Sequence, residues 1–119
     1  MRRLINAFLH SSRAARALLA SEAAFQQEAI VLAAALPLGW FLADTWRGYA
    51  LLIGAVIFVM IVEVLNTAVE AACNAVSRDF RPDIRIAKDC GSLAVLLSIL
   101  IAGGIWALAI AERLAGHAL

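Results

Sequence analysis

Five polar side chains interrupt an apolar stretch of this sequence, VMIVEVLNTAVEAACNAV, over residues 59–76. Four of them follow the i, i+3, i+4, i+7 spacing of one helix face, namely Glu63, Asn66, Thr67 and Glu70, and Asn74 extends that face by one turn. Because a helix rises about 1.5 Å per residue, Glu63 would lie about 10 Å farther along the helix axis than Glu70. The spacing therefore predicts a polar stripe along an otherwise apolar helix.

Glu63 is the residue of this stripe with the greatest chemical interest. A charged side chain at the centre of a membrane helix costs roughly 2.5–3.5 kcal/mol on insertion scales, so such residues usually face a protein interior and mark function. A carboxylate there can take a proton from a hydroxyl group that arrives from the lipid. The alternative is that Asn66 and Thr67 join helices by hydrogen bonds while Glu63 is protonated and only structural. Glu70, a second carboxyl group on the same face, favours the functional interpretation.

Further charged residues would lie near the same membrane interface as Glu70. Glu22 and Glu70 offer two carboxylates, and Mg²⁺ is commonly held by one or two carboxylates together with substrate phosphates. Lys88, which precedes Asp89, can neutralise charge on a phosphoryl group during its transfer. Together with Glu63, these groups would transfer a phosphoryl group from a water-soluble donor to a membrane-embedded alcohol.

The charged residues also have a plainer interpretation. Glu22 and Glu28 would then be solvated helix charges, and Lys88 and Asp89 would be interfacial anchors whose charged ends reach water. The sequence contains no GxGxxG, HExxH or GxSxG motif, so the common signatures of soluble enzymes are absent.

The composition indicates a membrane protein. Hydrophobic residues make up 64% of the 119 residues, and the mean hydropathy is +0.88, whereas soluble domains are about 45–50% apolar. The net charge of +1 and the lack of a basic patch argue against a nucleic-acid partner. Cys73 and Cys90 lack metal-binding spacing, so we expect reduced thiols that pack against other side chains. The length predicts one integral-membrane domain over residues 1–119.

Three apolar segments are long enough to cross a membrane as helices, at about residues 29–46, 48–76 and 90–112. In residues 2–27, apolar and charged side chains alternate at helical spacing, which is typical of an amphipathic helix lying in the membrane interface. Residues 77–89 would form a polar cytoplasmic connection. We therefore predict an all-α membrane protein with a surface helix and three transmembrane helices.

Basic residues are concentrated on one side of this topology, before the first span and in the 77–89 connection: Arg2, Arg3, Arg13, Arg16, Arg78, Arg81, Arg85 and Lys88. The connection between the first two spans carries only Arg47. The positive-inside rule then predicts a cytoplasmic N-terminus and a C-terminus on the opposite side of the membrane. Trp40, Trp46 and Tyr49 would form an aromatic belt at that opposite face.

Three motifs carry a resemblance to a known family: SEAAFQQE at 21–28, IVEVLNTAVEA at 61–71 and AKDCGSLAVLL at 87–97. In this order and spacing they resemble the prokaryotic diacylglycerol kinase family, over nearly the whole chain. The resemblance implies a homotrimer in the bacterial inner membrane, with its C-terminus in the periplasm. It also implies ATP-dependent phosphorylation of diacylglycerol to phosphatidic acid with a divalent cation, normally Mg²⁺.

Matched residue by residue, the resemblance implies roles for the motif side chains. Glu63 would be the catalytic base, and Glu22 and Glu70 would bind both the metal ion and ATP. The other residues matched to ATP are Arg3, Lys88 and Asp89. The residues matched to the lipid substrate, beside the base itself, are Glu28, Asn66 and Ser92. The sequence departs from the family pattern at Asn74, where members often carry an aspartate, and this removes a negative charge near the metal site.

Other functions remain as alternatives. Gram-positive relatives of this family phosphorylate undecaprenol, although Asn66 and the EAAF sequence at 22–25 look more like the diacylglycerol branch. A non-catalytic membrane assembly subunit would use the polar stripe only to join helices. An ion path would repeat acidic groups through the span, but residues 48–62 contain none. A small-residue run, Ala94, Ser98 and Ala102, would permit the close helix approach expected in a trimer.

Overall fold

The computed structural model describes residues 1–77, 79 and 81–117, and these residues form helices joined by short connections. The helices are α1 (Arg2–Ser21), α2 (Ala23–Leu42), α3 (Trp46–Val76) and α4 (Pro82–Leu114). The last three are long and apolar enough to cross a membrane. The prediction of an all-α protein with three candidate spans is confirmed for the described residues. Arg78, one of the basic residues used to predict the topology, lies outside them.

The boundary between the first two helices lies at Glu22. Its backbone is extended, with φ −104° and ψ 110°, and its N–H still donates to the carbonyl of Leu18 at 2.9 Å. The prediction of one surface helix over 2–27 and a span over 29–46 was therefore wrong in its bounds. Residues 23–28 are polar enough to suggest an interfacial segment, yet they form the first turns of the apolar helix α2.

The second predicted span, residues 48–76, agrees with α3 to within two residues at its start. Thr45 caps this helix, since its hydroxyl oxygen accepts a hydrogen bond from the backbone N–H of Gly48 at 3.0 Å. The helix ends at Val76, and Ser77 is extended. This one continuous helix carries the whole predicted polar stripe.

The predicted connection over residues 77–89 is largely helical. α4 begins at Pro82, a residue suited to the first helical turn because its missing N–H has no partner there. The apolar segment predicted at 90–112 is only the later part of this helix. The two boundaries differ because hydropathy marks where lipid contact begins, and a helix can continue beyond that point into water.

α3 lies between α2 and α4 and makes its most extensive contacts with α4. Leu52 of α3 is fully buried, and small side chains on α4 let the two helices approach. The indole N–H of Trp106 donates to the carbonyl oxygen of Leu52 at 3.0 Å, which joins the helices again. α1 packs against α2 and has no buried residue.

The small-residue run on α4 serves packing within the chain. Ser98 and Ala102 are buried, and Ala102 forms a core cluster with Ala55 and Val59 of α3. Ala94 is exposed. This run therefore gives no separate support for the predicted trimer, because its buried members already have partners in the same protomer.

Candidate active site

The polar stripe of α3 changes from buried to exposed along its length. Asn66 is only 9% exposed, whereas Glu63 is half-buried and Glu70 is exposed. The amide Nδ2 of Asn66 donates to Oε1 of Glu70 at 3.1 Å, the i, i+4 contact expected on one helix face. The structure thus brings Asn66 and Glu70 into direct contact and leaves the Glu70 carboxylate open to an incoming ligand.

Glu22 lies at the break between α1 and α2. Its side chain is half-buried. The charges of both Glu70 and Glu22 act on the carboxyl group of Glu63. Glu22 and Glu70 therefore add negative charge around Glu63 from two different segments of the chain.

A cavity of about 470 Å³ opens between α2, α3 and α4, and its polar lining includes the carboxyl groups of Glu28 and Glu63. Its walls are otherwise mainly apolar, with Val31, Val56 and Ile99 among them. A second cavity of about 370 Å³ shares the residues Val31, Val59 and Ile99 with the first and extends to Trp106. We call these two cavities together the groove. It is polar at one end and apolar along the rest.

Glu28 contributes an unpaired acceptor to the polar end of the groove. Its Oε1 is buried and has no hydrogen-bond partner among the described residues. Its carboxyl group also interacts electrostatically with that of Glu63. Buried polar atoms are rarely left without a partner in folded proteins. A hydroxyl group entering the groove would supply one.

α4 places Lys88 beside the continuation of the polar stripe. The Nζ of Lys88 donates to Oδ1 of Asn74 on α3 at 2.9 Å. Asp89, by contrast, is exposed and forms an ion pair with Arg85 at 3.8 Å. Ser92 is also exposed, on the same face of α4 as Val95, which lines the groove. Of Lys88, Asp89 and Ser92, Lys88 is therefore the residue that forms a hydrogen bond with α3.

Arg3 is the one site residue of the prediction that lies in α1. It is exposed, and α1 packs only against α2 within the described residues. No contact joins Arg3 to the carboxylates of α3 in this part of the chain. Its predicted role in ATP binding stays a prediction.

Comparison with known protein families gives a match that spans most of the chain. The sequence profile of the family described as prokaryotic diacylglycerol kinase matches residues 9–110. The chain belongs to this family. The resemblance inferred from the three motifs is therefore confirmed, and so is the prediction that the protein is a lipid kinase.

Individual members of the prokaryotic diacylglycerol kinase family align along most of their length. The diacylglycerol kinase of Escherichia coli K12 is 38% identical over 104 residues, which cover 87% of this chain and 85% of the relative. That of Pseudomonas aeruginosa is 35% identical over 108 residues, covering 90% and 87%. The Haemophilus influenzae diacylglycerol kinase is 32% identical over 103 residues, covering 87% of each chain.

The residues expected to hold a divalent cation are carboxylates, the ligand type that Mg²⁺ prefers. The described residues contain no group of three or more His, Cys, Asp or Glu side chains arranged to hold a metal ion. Mg²⁺ does not need such a cage, because it retains waters and is bound by one or two carboxylates plus substrate phosphates. Glu22 and Glu70 would supply the two carboxylates, and this role stays a prediction.

One residue at the site was missed by the sequence interpretation. Gly91 of α4 faces Asn66 so closely that a side chain there would meet the amide oxygen. The glycine lies within the AKDCGS motif but has no side chain to suggest chemistry. The steric importance of this glycine is visible only when α3 and α4 are packed against each other.

Proposed function

We propose that this lipid kinase transfers the γ-phosphoryl group of ATP to the free hydroxyl of diacylglycerol and so forms phosphatidic acid. The observation that supports this most directly is the groove, which has the carboxyl groups of Glu28 and Glu63 at one end and apolar walls beyond them. Diacylglycerol has the same distribution, since one hydroxyl group lies next to two apolar chains. Asn66 and Ser92 would flank its head group.

In the proposed reaction, Glu63 is the general base. Its carboxylate takes the hydroxyl proton while the substrate oxygen forms a bond to the γ-phosphorus. The bond between the γ-phosphorus and the oxygen that bridges to the β-phosphate breaks, and ADP leaves with the electron pair. The proton remains on Glu63 until water removes it. Glu28 would lie beside the head group of the lipid substrate at the same end of the groove.

The ATP end of the proposed site consists of charged groups near Glu70. Glu22 and Glu70 would hold a divalent cation, normally Mg²⁺, which would neutralise negative charge on the transferred phosphoryl group. Lys88 would contact the phosphates from α4, because its ammonium group is already held beside α3. Asp89 and Arg3 complete the proposed ATP contacts.

We place the protein in the bacterial inner membrane as a homotrimer, with the N-terminus and the ATP site in the cytoplasm and the C-terminus in the periplasm. α1 would lie in the interface, which is supported by the exposure of large apolar side chains such as Leu4 and Phe8 at 71% each. The positive-inside rule supports the orientation. Activity of a periplasmic reporter fused to the C-terminus tests it directly.

Replacement of Glu63 by glutamine tests the proposed base. Glu63→Gln preserves the size of the side chain but removes the proton acceptor, so we expect kcat to fall by about 10²–10⁴-fold. The protein should remain folded and should still bind ATP. Initial rates of diacylglycerol phosphorylation in mixed micelles with Mg²⁺ provide the measurement. Glu112→Gln, an exposed carboxylate near the other end of α4, is the matched control and should keep full activity.

The same assay separates the alternatives. Wild-type protein that preferred undecaprenol in direct competition would show that the substrate is the polyprenyl alcohol. Wild-type protein that phosphorylated neither alcohol with any divalent cation would favour a non-catalytic subunit. Full activity of Glu63→Gln would reject the base assignment and leave the kinase itself in place.

A further inference from the structure

α3 and α4 come unusually close at Gly91. A Cβ atom built on this glycine would overlap Oδ1 of Asn66 and would lie 3.2 Å from its Cγ. Gly103 and Gly104 of the same helix differ, because a Cβ atom on either meets nothing within 4 Å. The absence of a side chain therefore matters at Gly91 for a steric reason that does not apply to these two glycines.

The Asn66 amide occupies the space that Gly91 leaves. Its Nδ2 donates to Glu70, but its Oδ1 is buried without a hydrogen-bond partner among the described residues. The reverse orientation would place the amide oxygen against a carboxylate, so the contact with Glu70 assigns the two ends of the amide. With only one of its polar ends bonded, the side chain depends on close packing at Gly91 to stay in place.

Glu70 in turn depends on Asn66. The Glu70 side chain is exposed, and the Asn66 amide is the one side-chain donor that contacts it within the described residues. A methyl group at position 91 would displace the end of the Asn66 side chain, because the end of a side chain moves more easily than two helices that are packed against each other. The displaced amide would no longer meet Glu70, whose carboxylate would lose its fixed orientation.

We propose that Gly91 is a positioning residue for the metal and nucleotide site, acting on Glu70 through the amide of Asn66. This inference rests on the proposed function, in which Glu70 helps to bind the divalent cation and ATP. Gly91 itself touches neither. Because Gly91 has no side chain, the buried amide of Asn66 has room to orient the exposed carboxylate of Glu70.

Metal binding without turnover provides the first test. We expect Gly91→Ala to bind Mn²⁺, in the presence of a non-hydrolysable ATP analogue, at least about tenfold more weakly than wild type, because a hydrogen bond to a charged group is lost. Electron paramagnetic resonance of free Mn²⁺ gives the affinity. Gly104→Ala, the same substitution on the same helix at an open position, should bind Mn²⁺ as wild type does. Equal affinities for all three proteins would overturn the proposal.

A double-mutant cycle shows whether Gly91 acts through Asn66. In an Asn66→Ala background there is no amide to displace, so Gly91→Ala should change Mn²⁺ affinity by less than about twofold. A tenfold loss in both backgrounds would contradict the proposal. If Gly91→Ala alone fails to fold, folding of the double variant would still support the clash with Asn66, and its failure to fold would refute it.

Nuclear magnetic resonance of the metal-free protein separates this inference from the proposed function. The side-chain amide signals of Asn66 should shift in Gly91→Ala and stay unchanged in Gly104→Ala. Absence of any kinase activity in the wild type would remove the proposed function, yet the amide shift and Mn²⁺ affinity would still decide whether Gly91 positions Glu70. An unshifted Asn66 amide in Gly91→Ala would rule the inference out.

Discussion

Lys88 has an uncharged partner. Its ammonium group donates to the amide oxygen of Asn74 at 2.9 Å, and this contact joins α3 to α4 beyond Glu70. A neutral acceptor fixes the position of the ammonium group without cancelling its charge. That arrangement suits a lysine whose proposed role is to meet phosphate oxygens, since its full positive charge stays available to them. An aspartate at position 74 would form an ion pair with Lys88 instead and would offset part of that charge.

Asn74→Ala tests whether this contact positions Lys88. Removal of the acceptor should raise the KM for ATP by about two- to tenfold, which corresponds to the typical value of one hydrogen bond, while kcat changes little. Asn74→Asp retains an acceptor and should keep the KM within about threefold of wild type. Steady-state rates at varied ATP concentration supply both constants. An unchanged KM in Asn74→Ala would show that Lys88 does not need this partner.

At the residue level, the sequence interpretation identified site residues whose side chains carry polar or ionisable groups. It missed Gly91, which has no side chain. Glu63, Asn66 and Glu70 could be placed on one face because helical spacing alone determines it. Gly91 could not be recognised, because its importance comes from the distance between two helices. Helix spacing depends on the side chains of both partners, and one sequence segment does not specify it.

At the level of elements, the contact between α3 and α4 holds the site together. It contains Asn66 at one end and the Trp106–Leu52 hydrogen bond farther along. Between and beyond these points the buried residues of α4 are small, namely Ser98, Ala102 and Ala109. Small side chains allow close approach of helices in a membrane, where van der Waals packing replaces the hydrophobic effect as the driving force.

A larger side chain at Ala109 should separate these helices. Ala109 is fully buried, so Ala109→Leu should reduce the free energy of unfolding by about 1–3 kcal/mol through overpacking. Ala107→Leu makes the same change two residues away on an exposed position and should alter stability by less than about 0.5 kcal/mol. Unfolding in mixed micelles of increasing denaturing-detergent content, followed by near-UV circular dichroism, measures both. Equal stability of the two variants would contradict the packing seen here.

The number of apolar helices could be predicted from the sequence, but two of their ends could not. Residues 21–28 contain alanine, glutamate and glutamine, all good helix formers, so nothing local indicates the extended residue at Glu22. The start of α4 at Pro82 was obscured by the charged residues that follow it. Hydropathy reports the surroundings of a helix, whereas hydrogen bonding sets its length.

At the scale of the whole molecule, most of the apolar surface of one chain remains exposed. Large side chains on all three candidate spans are open, among them Trp40, Leu65 and Leu100 at 73%, 61% and 62%. Lipid can cover such residues at no cost. It cannot cover the groove equally well, because the carboxyl groups of Glu28 and Glu63 line one end and ionisable groups avoid direct contact with hydrocarbon.

Association of protomers would cover the polar end of the groove with protein, and the family resemblance implies three copies. We therefore expect the purified protein to sediment as a complex of three 12.7 kDa chains in a detergent whose density is matched to the buffer. The complex should persist on dilution under conditions that retain kinase activity, since separation would open the groove to detergent. A fully active species with the mass of one chain would show that the groove functions without a neighbour, and the trimer would then be unnecessary for catalysis.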